Sequence, residues 1–131
     1  MLTVPQTIID AIIAHAQRDF PLEACGILGG ANGAVTEQYP MANIDQSNEH
    51  FTLEPKEQFA VIKDLRGKGI EMLAIYHSHP ETPARPSEED IRLALTPNVS
   101  YVIVSLAGVT PDVKSYRIES GAVTPEPIKI A

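Results

Sequence analysis

The stretch His77-Ser78-His79-Pro80, followed by Ser87 and Asp90, gathers the side chains best suited to chemistry. His77 and His79 stand two apart in an extended segment leaving an apolar run, so their side chains project to one side. Two imidazoles so placed can reach one ion at the roughly 2.0–2.1 Å that zinc requires. They also fall at the carboxyl end of a predicted strand, where open α/β sheets tend to build sites. Paired histidines alone also occur as surface residues near turns. Ser87-x-x-Asp90 likewise reads as a helix capping box, with Ser87 as N-cap and Asp90 three residues on. The combination is more specific. A helix beginning just after the histidine turn would bring the Asp90 carboxylate beside both imidazoles. Three ligands with a fourth position left for water is the open arrangement of catalytic zinc, although nitrogen and oxygen donors also suit iron or manganese. Ser87 could cap its helix and still donate a hydrogen bond to a developing oxyanion.

The remaining pattern supplies elements to position these groups. Ile8, Ile9, Ile12, Ile13 and Ala16 recur at helical spacing, with Pro5 suited to the first turn and Pro21 to the end. Ala24–Leu28 reads as a buried strand, Asn32-Gly33 as a hairpin turn and Ala34–Tyr39 as the returning strand. Gly26 and Gly29-Gly30 suggest close backbone approach or a bulge. Polar residues 43–49 mark a loop before a short extended piece, Phe51-Thr52-Leu53. Pro55 opens a second helix whose apolar stripe is Phe59, Ile62 and Leu65, with Val61 beside them. Met72–Tyr76 is continuously apolar, as expected of a central strand. Ser87 starts a third helix with Ile91, Ala94 and Leu95 inward, and Thr96-Pro97-Asn98 ends it. Tyr101–Leu106 and Val113–Ile118 read as strands, and the tail containing Pro125 and Pro127 as extended at best. Helices alternating with strands, one hairpin among them, predict an α/β fold with a mixed sheet.

Composition narrows the function classes. The chain has 131 residues, 44% hydrophobic and 21% charged, which is ordinary globular composition and suits one domain over residues 1–131. A formal charge of −7 and only 5% aromatic residues argue against nucleic acid as a partner. No apolar run approaches the roughly 20 residues of a membrane span. The first residues lack a basic region, and Asp10 interrupts the apolar stretch, so they do not read as a signal peptide. The expected location is the cytoplasm. A single cysteine, Cys25, cannot form an internal disulfide; inside its apolar run it reads as a small buried hydrophobe. His15 reads as a surface residue of the first helix, and His50 as a loop residue within reach of a substrate or lid.

The array H-x-H-x7-S-x2-D, with Pro80 after the second histidine, resembles the motif of the JAMM (MPN-plus) metalloprotease family. Pro21–Gly30 resembles that family's first-strand segment, and Phe51-Thr52-Leu53-Glu54-Pro55 the segment before its second helix. The resemblance implies an MPN fold, a mixed sheet flanked by helices and related in shape to cytidine deaminases. It implies that His77, His79 and Asp90 ligate Zn2+, that Glu23 is the general base, and that Ser87 polarises the scissile carbonyl or stabilises the tetrahedral intermediate. Spacing alone does not choose Glu23 over Glu37 or Glu49. The short connections resemble stand-alone prokaryotic members, which implies hydrolysis of an amide at the C-terminal Gly-Gly of a ubiquitin-like sulfur-carrier protein. The amide would be that of a carrier–cysteine adduct or a precursor. The alternatives are a non-catalytic MPN scaffold or a DNA-repair-associated JAMM-like protein. Scaffold versions characteristically lose ligands, and this chain keeps them; the −7 charge weighs against DNA.

Overall fold

The computed structural model describes residues 1–131 as eight strands and three helices. They run β1 (Leu2–Val4), α1 (Gln6–Asp19), β2 (Cys25–Ala31), β3 (Ala34–Met41), α2 (Pro55–Gly67) and β4 (Glu71–His79). Then follow α3 (Glu88–Leu93), β5 (Ser100–Ser105), β6 (Asp112–Glu119), β7 (Ala122–Glu126) and β8 (Ile128–Ile130). All strands join one sheet in the order β7-β6-β5-β4-β2-β3-β1-β8. β4 and β5 run parallel, as do β1 with β3 and β8, and the other pairs are antiparallel. The mixed sheet expected from the sequence is present. No helix is long and apolar enough to cross a membrane.

The strands alternate between two faces. On β4, Ala74 and Tyr76 join the core around α1, where they meet Ile9, Ile12 and Ala16. Ile75 points the other way and packs with Ile103 of β5 and Ile118 of β6. The same alternation on β2 sends Leu28 towards α1 and Ile27 towards Val61 and Leu65 of α2. His77 and His79 therefore share the Ile75 face, whereas Ser78 lies on the α1 face.

Local sequence explains several details. Asn32 and Gly33 both take positive φ (54° and 75°), which a tight turn between twisted strands requires. A side chain at Gly26 would collide with the Tyr39 carbonyl and the Tyr76 ring, so only glycine fits. Register shifts occur beside Gly29. Pro5 sits at the N-cap of α1, one residue before the helix, and Phe20-Pro21 follows its end.

Several expectations are corrected. The sequence pattern misses β1 and reads the tail as extended at best, yet the tail forms β7 and β8, and β8 pairs Leu2 with Ile128 and Val4 with Ile130. β7 and β8 are separated only by Pro127, although they occupy opposite ends of the strand order. The chain thus passes directly from one border of the sheet to the other, and the sheet curls around. Glu126 fastens this seam, accepting hydrogen bonds from Ser100 Oγ (2.6 Å), Ser115 Oγ (2.8 Å) and Arg117 Nε (3.2 Å). The terminal ammonium of Met1 lies 3.6 Å from the same carboxylate. On α2, Val61 and Leu65 face the sheet, while Phe59 is 72% exposed. α3 stops at Leu93, leaving Leu95 outside the helix and exposed. His15 is buried, not superficial: its Nδ1 lies 2.7 Å from the Tyr76 hydroxyl and its Nε2 3.1 Å from Asp19.

Candidate metal centre

β4 does not end at Tyr76 but continues through His79, hydrogen-bonded to β2 and β5 on either side. That pairing fixes both imidazoles on a rigid central strand rather than in a turn. His77 Nε2 and His79 Nε2 are 3.1 Å apart. Asp90 Oδ2 lies 3.2 Å from the first and 3.0 Å from the second. Both histidines are buried and Asp90 is half-buried. Cys25 is fully buried on β2, as expected.

Asp90 arrives from α3 through a complete capping box. Its backbone N–H donates to Ser87 Oγ, and its Oδ2 accepts from the Ser87 N–H, each at 3.0 Å. Both readings of Ser87-x-x-Asp90 thus hold at once: the residues that start the helix also aim the carboxylate. The Ser87 oxygen is engaged as an acceptor, and its side chain is exposed.

The segment between His79 and Ser87 is held from beneath by three side chains. Ser105 Oγ donates to the Thr82 carbonyl (2.6 Å) and Tyr116 OH to the Ala84 carbonyl (2.6 Å). Between them, His79 Nδ1 lies 2.8 Å from the Pro83 carbonyl. Because a carbonyl only accepts, Nδ1 carries the proton, and in the neutral ring the Nε2 lone pair faces Asp90 and His77. Second-partner bonding of this kind is how metal-binding histidines are oriented. His77 is positioned differently. Its Nδ1 is buried without a partner, and Phe51 stacks on its ring at a centroid distance of 4.6 Å.

Glu23 enters from the segment just before β2, the strand beside β4. The Ser78 N–H donates to the Ala24 carbonyl (2.9 Å) and the Ala24 N–H to Ser78 Oγ (2.7 Å), which sets Glu23 across from His79. Asn43 braces this corner, donating to the carbonyls of Glu23 (3.1 Å) and His50 (3.0 Å). Glu23 is only 2% exposed, and its Oε1 has no hydrogen-bond partner. Burial pushes its pKa up to about 7, with His79 opposing and Asp90 reinforcing the shift.

The other titrations follow from the same geometry. Burial alone would raise the Asp90 carboxyl, but hydrogen bonds to His77 and His79 hold it well below the usual carboxylate range. Burial lowers His77 despite Asp90. In His79 burial is outweighed by Asp90 and the Pro83 carbonyl, and its pKa rises. Two imidazole nitrogens and a carboxylate oxygen crowded together require a shared positive charge. The edges of a tetrahedron with ligand bonds of 2.0–2.1 Å are roughly 3.3 Å, close to the observed triangle, so the donor set fits a metal ion.

Asn43, Ser105 and Tyr116 are supporting residues that sequence reasoning did not single out, and Phe51 reads there only as part of an extended segment. Each acts through hydrogen bonds or a stacking contact to residues distant in sequence, such as Asn43 to Glu23 and Phe51 to His77, which leaves no local spacing to read. His50 hydrogen-bonds Asp45 through Nδ1 (3.0 Å) in the loop before Phe51.

Comparisons with known proteins agree with this geometry. The family model described as prokaryotic homologs of the JAB domain matches residues 5–119. A protein of Mycobacterium tuberculosis named CysO-cysteine peptidase is 38% identical over 133 residues, covering 99% of this chain and 91% of that protein. A solution structure of a protein from Desulfitobacterium hafniense superposes with a TM-score of 0.91 at 45% identity, covering 100% of this chain and 93% of the other. The crystal structure of a JAB1/MPN domain protein from Archaeoglobus fulgidus shares the fold, with a TM-score of 0.69 at 18% identity over 99% and 97% of the two chains.

Proposed function

Because the chain belongs to the prokaryotic JAB-domain family, we propose that it is a zinc-dependent peptidase acting on a ubiquitin-like sulfur-carrier protein. The bond cleaved is the amide between the carrier's C-terminal Gly-Gly and a small amine, a single cysteine in the first instance. One observation carries the reading. Three donor atoms converge within 3.2 Å beside a buried carboxylate oxygen that has no other partner. The M. tuberculosis relative, by its name a peptidase for a CysO–cysteine bond, supports the substrate class.

His77, His79 and Asp90 hold the ion in this reading. A zinc ion so bound polarises carbonyls and lowers the pKa of bound water to about 7. Glu23 accepts a proton from the attacking water and returns it to the departing amine, for which a pKa near neutrality is well matched. Its burial keeps that exchange away from bulk solvent. The Ser87 hydroxyl, exposed at the start of α3, donates a hydrogen bond to the substrate carbonyl oxygen as charge builds there. Phe51 and the Pro83 carbonyl hold the two rings in place.

Incubating the zinc-loaded protein with a purified carrier–cysteine adduct tests this. The expected result by mass spectrometry is free carrier and cysteine, with turnover lost on chelation. Elemental analysis showing no stoichiometric metal, or no hydrolysis of any Gly-Gly conjugate, would overturn it. His77→Ala is expected to lose metal and activity together.

A further inference from the structure

The proposed base is held by its backbone. Glu23 precedes the first residue of β2, and its Oε1 has no hydrogen-bond partner. Its main chain is bonded on both sides to the loop of residues 43–53. The Glu23 N–H donates to the Ser47 carbonyl (2.8 Å), and the Glu23 carbonyl accepts from Asn43 Nδ2 (3.1 Å). A bridge between Asn43 and Leu53, with a bond from the Ile44 N–H to the Thr52 carbonyl (3.2 Å), closes the ends of that loop. Both polar atoms of the Asn43 side chain are used within it. Nδ2 also donates to the His50 carbonyl (3.0 Å), and Oδ1 accepts from the backbone N–H groups of Asp45 (3.1 Å) and Thr52 (3.2 Å). Carbonyls only accept and backbone N–H groups only donate, so a single orientation of the amide satisfies these contacts.

Resting on the function proposed above, we propose that Asn43 is a positioning residue for the base, fixing the Glu23 main chain against the loop that adjoins the metal centre. Phe51 of this loop stacks on the His77 ring, so one side-chain amide ties the base to a segment already seated on a ligand. A carboxyl group whose Oε1 is bonded to nothing has no contact there to restore its place once its backbone shifts. Without the amide, the Glu23 and His50 carbonyls lose their donor. The base is then free to move, and a displacement of about 1 Å costs a positioned reaction step about 10²-fold. Asn43 hydrogen-bonds none of the three ligands, so its role lies in proton transfer and not in holding the metal.

The test compares Asn43→Ala and Asn43→Asp with wild type. Aspartate keeps an acceptor for the Asp45 and Thr52 N–H groups, so the loop stays closed, but its carboxylate has no donor for the Glu23 carbonyl. Both variants should bind zinc as wild type does. For the carrier–cysteine adduct, kcat should fall about 10²-fold with KM changed by less than about threefold. A second readout needs no turnover and uses zinc-free protein. Hydrogen exchange at the Glu23 amide, which donates to Ser47, should quicken about tenfold in both variants, while the amides of β5 keep their protection. An unchanged kcat, or a Glu23 amide as protected as in wild type, would overturn the positioning role and leave the peptidase reading standing. Protection lost equally across β5 would overturn it as well, because Asn43 would then support the whole fold. A wild type that cleaves no Gly-Gly conjugate defeats the peptidase reading, and the positioning of a base with it.

Discussion

Glu23→Gln separates the stability cost of the proposed base from its use. In metal-stripped protein the folded-state pKa of Glu23 is about 7, against an ordinary value of 4.5. A raised carboxyl pKa means the native state binds the proton more tightly than the unfolded chain. Stability contributed by the protonated group is therefore present at low pH and lost as pH rises from about 4.5 through 7. At about 1.4 kcal/mol per pKa unit, the ionised carboxylate costs the native state roughly 3 kcal/mol above that range. Glutamine has nearly the same shape without the charge. Urea unfolding of chelator-treated protein should show Glu23→Gln more stable than wild type by about 3 kcal/mol at pH 8, and nearly equal at pH 4.5. Both histidines are present in each protein, so their titration cancels to first order in the difference. With metal restored, the same variant should bind zinc normally, yet turn over about 10²–10⁴-fold more slowly. A pH-independent difference, or a variant less stable than wild type at pH 8, would refute the argument that burial without a partner sets the Glu23 pKa.

Three further outcomes follow from the geometry. Ser87→Ala removes the acceptor for the Asp90 N–H and should cost about 1 kcal/mol of stability, read by thermal unfolding, together with a fall in kcat larger than any change in KM. Asp90→Asn keeps an oxygen for the Ser87 N–H but loses the charge, so α3 should persist by circular dichroism while zinc affinity falls steeply in a competitive chelator titration. Burial would raise the Glu126 carboxyl, but hydrogen bonds from Ser100, Ser115 and Arg117 bring it below its ordinary value. Its stabilisation is thus present at neutral pH and lost as pH falls through the depressed value; Glu126→Gln should lower Tm at pH 7, with the gap to wild type closing in acid.

Much of the centre is legible in the primary structure because its parts are local. Two histidines separated by one residue after an apolar strand must share a face, and a serine three residues before an aspartate caps its helix wherever that helix lies. Asn32-Gly33 and the glycines of β2 are equally local, since they answer to backbone geometry. What escapes is decided at a distance. Glu23 joins the site only because Ala24 pairs with Ser78, 54 residues later. His15 is buried because the Tyr76 hydroxyl meets its ring from a strand 61 residues away. Phe59 and Ile62 have helical spacing, but so do Val61 and Leu65, and the sheet takes the second pair. β1 and β8 span three residues each, too few for their apolar alternation to register, and β7 is mostly exposed and carries Pro125.

Bringing Leu2–Val4 beside Ile128–Ile130 has a consequence for biosynthesis. Until Ile128–Ile130 has left the ribosomal tunnel, β1 lacks its outer neighbour and the Ile128 side of the α1 core stays open to water. Contacts of such sequence separation form late and slowly. The pairing of β4 with β2 and β5, which sets the two histidines, needs neither of these segments.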